Sequence, residues 1–145
     1  MPNVTIRWAE LPRDLPQVHR IRYLVFQIEQ GVDPTLEFDE KDDIAHHVLV
    51  YLDEKAIATS RLWFIDAQTV KLERFAVLQE ARGQGIGQAM MQFILDWLEQ
   101  KEVIAVVMNA QVPVREFYEK FGFTAEGAVF EEAGIDHIRM KKLLR

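Results

Sequence analysis

The chain has no cysteine, which excludes disulfides, thiolate-ligated zinc and a cysteine nucleophile, and several enzyme classes with them. Basic side chains are in deficit. Lys and Arg number 17 against 23 Asp and Glu, for a net charge of −6 and a pI near 5.2, the opposite of a nucleic-acid binder's electrostatic footprint. Glycine and proline are few, at 7 and 5, and there is no linker, repeat or low-complexity tract. The longest apolar run, residues 104–108 with their flanks, falls far short of the ~20 residues that span a bilayer. Met1-Pro2-Asn3 offers neither the basic start nor the apolar stretch of a secretory signal. A cytoplasmic protein with no metal, membrane or nucleic-acid partner is expected.

What is present is 145 residues, 49% of them hydrophobic. That supports one core and not two, so residues 1–145 read as a single mixed α/β domain. Asp14-Leu15-Pro16-Gln17 supplies a cap, a first-turn proline and a glutamine for a capping box. Val18, Ile21, Val25 and Ile28 follow at helical spacing, to an end near Gln30-Gly31. Residues 32–43 hold Asp33-Pro34 and a run of acids with neither period, so they read as a loop or irregular helix. Strands are expected at 46–52 and 57–64, joined by a turn at Asp53-Glu54-Lys55, and again at 70–77. In the last of these the apolar phase slips by one residue between the Val70/Leu72 and Phe75/Val77 pairs, as an inserted bulge residue would cause.

Gly83-Gln84-Gly85-Ile86-Gly87 then opens a helix with Ile86, Ala89, Met90, Phe93, Ile94, Trp97 and Leu98 on one face. Residues 103–108 are the β-branched run of a strand buried on both faces, and helices before and after imply parallel pairing. A short helix from Pro113 carries Val114, Phe117, Tyr118 and Phe121 and stops at Gly122; strands at 123–129 and 135–144 complete the chain.

Strand, glycine-rich turn and helix at 75–98 make an anion site, because free N–H groups and the helix dipole favour negative charge and glycines let it approach. A P-loop would end in Gly-Lys-Ser/Thr, but Gly87 precedes Gln88-Ala89. A dinucleotide fold would place G-x-G-x-x-G in its first strand–helix unit, whereas this G-x-G-x-G lies past mid-chain. Glycines serving only tight packing are the plain alternative.

Arg82-Gly83-Gln84-Gly85-Ile86-Gly87 resembles the Q/R-x-x-G-x-G/A motif of the GNAT superfamily of N-acetyltransferases. Arg22, Val25-Phe26, Glu29-Gln30, Asp42, His46, Asn109-Ala110-Gln111, Phe117-Tyr118, Gly122-Phe123, Ala133-Gly134-Ile135, His137 and Met140 extend the likeness to the small ElaA-like branch. One departure is Leu78-Gln79-Glu80-Ala81, where many relatives place a proline. The resemblance implies a mixed, mostly antiparallel sheet with a central splayed parallel pair flanked by helices, and acetyl-CoA as acyl donor. It implies that Phe75, Ala76 and Val77 pair with pantetheine, and that the turn of Arg82, Gly83, Gln84, Gly85, Ile86, Gly87 and Gln88 holds the pyrophosphate. Asn109 would contact the pantetheine arm, with a strand-end turn residue as its plain reading, and Tyr118, with Phe117 beside it, would protonate the departing thiolate; helix packing is the plain role for both aromatics.

Attack by an amine also needs a proton acceptor. Glu73, beside the bulge, is the first candidate, set against an outward carboxylate paired with Lys71 or Arg74; His137 and His46 stand in reserve. His46 and His47 point to opposite faces of a strand and make a poor metal pair. Glu29, Glu37, Asp39, Asp42 and Asp43 gather negative charge where GNAT folds border the acceptor cleft, so a cationic small-molecule or peptide amine is the expected acceptor, and a solvated acidic loop is the bland alternative. The expected reaction is direct acetyl transfer to that amine. The rival is a module that binds CoA thioesters without turnover. A homodimer is compatible with either.

Overall fold

The computed structural model describes residues 3–37 and 39–145; Met1 and Pro2 of the opening stretch and Phe38 of the acidic stretch lie outside it. Apolar segments that alternate or run together become β1 (Val4–Trp8), β2 (His46–Leu52), β3 (Lys55–Asp66), β4 (Thr69–Val77), β5 (Ala105–Gln111), β6 (Thr124–Glu132) and β7 (Ile135–Leu143). They form one sheet in the order β1-β2-β3-β4-β5-β7-β6. Every neighbouring pair is antiparallel except β4 and β5, which are parallel as their setting between helices requires. The sequence reading assigned no element to β1, which pairs along its whole length with β2.

The helices are α1 (Leu15–Arg22), α2 (Pro34–Glu37), α3 (Ile86–Gln100) and α4 (Arg115–Glu119). α3 buries Ile86, Met90, Met91, Ile94, Leu95 and Leu98, so its apolar stripe is wider than the spacing suggested. Burial of each such side chain contributes about 1.5–3 kcal/mol. Phe93 and Trp97 extend the stripe to Trp8 of β1, at ring-centroid distances of 5.4 and 4.6 Å.

Two helix expectations are corrected. The first helix does not run regularly to Gln30: α1 ends at Arg22 and Tyr23–Glu29 widens into a π-type turn, with the Gln30 N–H donating to Val25 O at 3.1 Å. Nor does a capping box form. Asp14 instead accepts from Arg7 Nη1 at 2.7 Å and the Glu10 N–H at 2.8 Å, and Gln17 Oε1 accepts from the Tyr51 hydroxyl. A guanidinium offers a carboxylate a charge-assisted bond, roughly twice as strong as a neutral one.

The phase slip in β4 is a real bulge. Register passes from Thr59↔Ala76 to Arg61↔Glu73, so that one residue of β3 faces two of β4. Arg74 takes up the extra residue at φ 53°, a left-handed conformation that costs a non-glycine about 1–3 kcal/mol. Its guanidinium donates to Glu37 O at 3.0 Å, and Ser60 Oγ donates to Glu73 O at 3.2 Å, offsetting that strain. Below the bulge β4 pairs with β5 only from Thr69↔Ala105 to Lys71↔Val107. Beyond Lys71 the two strands have no ladder between them, while β5 stays on β7 as far as Gln111↔His137. That gap is the cleft.

Candidate active site

After β4 the Leu78 N–H donates to Ile57 O at 2.9 Å, and the stretch that departs from the family's proline forms a 3₁₀ turn at Gln79–Ala81. Gly83 and Gly85 then adopt φ 77° and 78°, conformations glycine reaches without strain. The backbone N–H groups of residues 83–88 have no hydrogen-bond acceptor among the described residues; the first closed bond of α3 runs from the Ala89 N–H to Gly85 O at 3.0 Å. Unpaired donors at the positive end of a 15-residue helix form a site for a phosphate-type anion. At Gly87 an added Cβ would lie 3.4 Å from Phe117 Cζ and 3.7 Å from Phe75 Cε1, in van der Waals contact with both rings.

A cavity of about 810 Å³ runs from this turn into the gap between β4 and β5. β4 contributes Glu73, Phe75, Ala76 and Val77; the turn contributes Arg82, Gly83, Gly85, Ile86, Gly87 and Gln88; β5 contributes Asn109, and α4 Phe117 and Tyr118. Of the residues expected to hold the cofactor only Gln84 does not line it, its side chain donating to Glu80 O at 3.4 Å. Phe75, Phe117 and Tyr118 form one aromatic wall with centroids 5.2 to 5.9 Å apart. Tyr118 is buried, which pushes its phenol well above the ordinary range, and its hydroxyl has no partner among the described residues. Arg82 crosses the groove, donating to Val77 O at 3.0 Å and bidentately to Glu29 at 2.7 Å.

The proton-acceptor candidates separate. Glu73 Oε1 accepts from Arg61 Nη2 at 2.9 Å and from Trp63 Nε1, while Oε2 lies 3.6 Å from Lys71 and 3.8 Å from Arg74. Burial pushes its pKa up, but the surrounding cations outweigh that and hold it below the usual carboxylate range. Glu73 is therefore an ionised anchor for the bulge and a weak base, against the role first given to it. His46 is corrected too: it sits on the other face of the sheet among Trp8, Phe64 and Trp97, away from the cavity. Its neighbour His47 faces the opposite way and bonds Asp42 O at 2.9 Å. His137 does line the cavity.

Of the five acids expected to border the acceptor cleft, Glu29, Glu37, Asp39 and Asp42 are paired with arginines, while Asp43 stays exposed. Arg22, wholly buried, donates to Glu37 and, at 2.7 Å, to Asp42; buried Arg61 donates to Asp39 at 2.6 Å and to Asp42 at 3.0 Å. Glu29 is taken by Arg82. Arginines from α1, β3 and the glycine turn cancel most of the charge on which the cationic-acceptor expectation rested.

The opposite wall was harder to see in the sequence. The π-type turn brings Val25, Phe26, Glu29 and Gln30 to the cavity, and Gln30 exchanges side-chain amide bonds with Gln111 of β5 at 2.9 and 3.4 Å. No helix among the described residues is long and apolar enough to cross a membrane.

Comparison with known proteins agrees with this geometry. The model of the Acetyltransferase (GNAT) domain matches residues 30–144. The uncharacterized N-acetyltransferase YjcF of Bacillus subtilis is 31% identical over 135 residues, 92% of this chain and 96% of that protein. Protein ElaA of Escherichia coli is 30% identical over 133 residues, 85% of this chain and 83% of its own; its crystal structure superposes with a TM-score of 0.84 over 98% of this chain and 99% of that one. An acyl-CoA N-acyltransferase from Pseudomonas aeruginosa superposes equally well, at 0.84 and 28% identity, over the same shares. With a glycine turn of unpaired amides, a splayed parallel strand pair and a family match over most of its length, the chain belongs to the GNAT acetyltransferase family.

Proposed function

We propose that this protein is an acetyl-CoA-dependent N-acetyltransferase that moves the acetyl group directly to an amine. The observation that carries the reading is the row of unpaired N–H donors at residues 83–88, opening onto a cleft whose β4 wall has backbone groups with no β5 partner. Pyrophosphate oxygens satisfy the first, and pantetheine amides can pair with the second at Phe75, Ala76 and Val77. When bound, the cofactor supplies an activated acyl thioester. The chain supplies the rest: backbone N–H groups at the bulge to stabilise charge on the thioester oxygen, Asn109 beside the arm, and the Tyr118 hydroxyl to return a proton to sulfur. Absence of cysteine leaves no thiol to carry the acetyl group in between. The amine is a small molecule or the terminus or side chain of a peptide.

Thermal unfolding with ligands tests the site. CoA at 100 times its dissociation constant should add about 2.7 kcal/mol, on the order of 5–10 °C for a domain of this size, while NAD and ATP give little. Gly85→Asp should keep the fold, since Asp tolerates the left-handed conformation, but set a carboxylate against the pyrophosphate and abolish the shift. An undiminished shift in the variant would place CoA elsewhere.

A further inference from the structure

We propose that His137 is the group that takes the proton from the attacking amine, an assignment that rests on the N-acetyltransferase reading above. His137 lies on β7 directly across from Gln111, at the end of β5 beyond the point where β4 has parted from it. It is 6% exposed and lines the cavity. Its Nδ1 lies 2.7 Å from Ile135 O, an atom that can only accept, so the proton of the neutral ring is on Nδ1 and the lone pair on Nε2. Nε2 has no hydrogen-bond partner among the described residues. Glu132 Oε2 on β6 lies 3.7 Å from Nε2, beyond hydrogen-bond distance, and the Phe130 ring stacks on the imidazole at 6.1 Å. A fixed tautomer and an Nε2 without a hydrogen-bond partner, on a residue that lines the cleft, are what a positioned base requires.

The other titratable groups around it are committed. Gln111, opposite on β5, is neutral and paired with Gln30; Tyr118 on α4 has the proton-donor role. Glu73, Lys71 and Arg74 on β4 face one another. The transfer balances in one turnover. The amine nitrogen forms its bond to the acetyl carbon, the carbon–sulfur bond breaks, the amine proton goes to His137 Nε2, and the Tyr118 proton goes to sulfur. Solvent then returns a proton from the imidazolium to the phenolate, leaving amide and free thiol.

The test is the pH dependence of kcat/KM on the best amine of a panel with acetyl-CoA. His137→Gln should lower kcat by ~10²-fold, remove the acid limb of the profile and leave the acetyl-CoA KM and the CoA-induced thermal shift unchanged. Glu73→Gln should keep the limb. A His137→Gln enzyme with the wild-type acid limb overturns the assignment; loss of the limb in Glu73→Gln alone returns the role to Glu73. Wild-type protein that binds CoA but is silent with every amine overturns the function itself, and the role of His137 with it.

Discussion

Arg22→Met should cost about 3–5 kcal/mol of stability, a large part of the ~5–15 kcal/mol typical of a domain. Arg22 is fully buried and bonds both Glu37 and Asp42; methionine fills the space but leaves two buried carboxylates short of their cation. Glu37 Oε2 already has no hydrogen-bond partner among the described residues, so this carboxylate depends on the bonds made by its other oxygen. Urea midpoints of variant and wild type at matched m-values measure the loss. A change under 1 kcal/mol would mean that the network relaxes around the missing charge. The same network sets the acid limit. Hydrogen bonds and charges from Arg22 and Arg61 overcome burial to hold Asp42 well below its ordinary 3.8, and Arg7 does the same for Asp14. A carboxylate depressed in the fold contributes stability in full above its unfolded pKa, and loses it as pH falls through the lower folded value. His47, lowered from 6.5 chiefly by burial, acts in the same direction, since the unfolded chain takes up its proton first. Stability should therefore fall continuously from about pH 6.5 downward, with no rise on acidification.

Tyr118→Phe should lower turnover by ~10²-fold while leaving CoA binding and the fold in place. Its hydroxyl has no partner among the described residues, so removing it breaks no bond, and the ring keeps its contacts with Phe75, Phe117 and Phe123. Burial raises the phenol's pKa, which keeps it protonated throughout the working range but makes it a weaker acid, hence the low end of the range for a general acid. Tyr118 itself should add no basic limb to the pH–rate profile below pH ~10. Turnover and CoA-induced stabilisation falling together would make Tyr118 a packing residue.

The parts of the fold legible in the sequence are those where one local pattern decides. β2 occupies 46–52 as the alternation and flanking turn implied, the slip between Leu72 and Phe75 marks the bulge at Arg74, and the glycine turn announces α3. What stayed hidden depends on distant partners. Glu37, Asp39 and Asp42 read as solvated or ligand-seeking charge because Arg61, which neutralises two of them, sits about twenty residues further on within a strand of apolar neighbours. An arginine between Ser60 and Leu62 on an otherwise buried strand was the available signal, since such a charge is buried only when paired. Glu73 was assigned by position alone, and position does not reveal how many cations hold a carboxylate. The π-type turn was invisible because Val25 and Ile28 fit α-helical spacing as well.

The proposed reaction requires that a cofactor held by the amides of residues 83–88 deliver its acetyl group to an amine. Incubation with acetyl-CoA labelled with ¹³C in the acetyl group and an amine panel, read by mass spectrometry, tests it most directly. The wild-type protein should yield a labelled amide and an equal amount of free CoA, and Gly85→Asp should yield neither. CoA that binds and stabilises the protein with no labelled amide from any amine would contradict the claim and leave a CoA-thioester-binding module in its place.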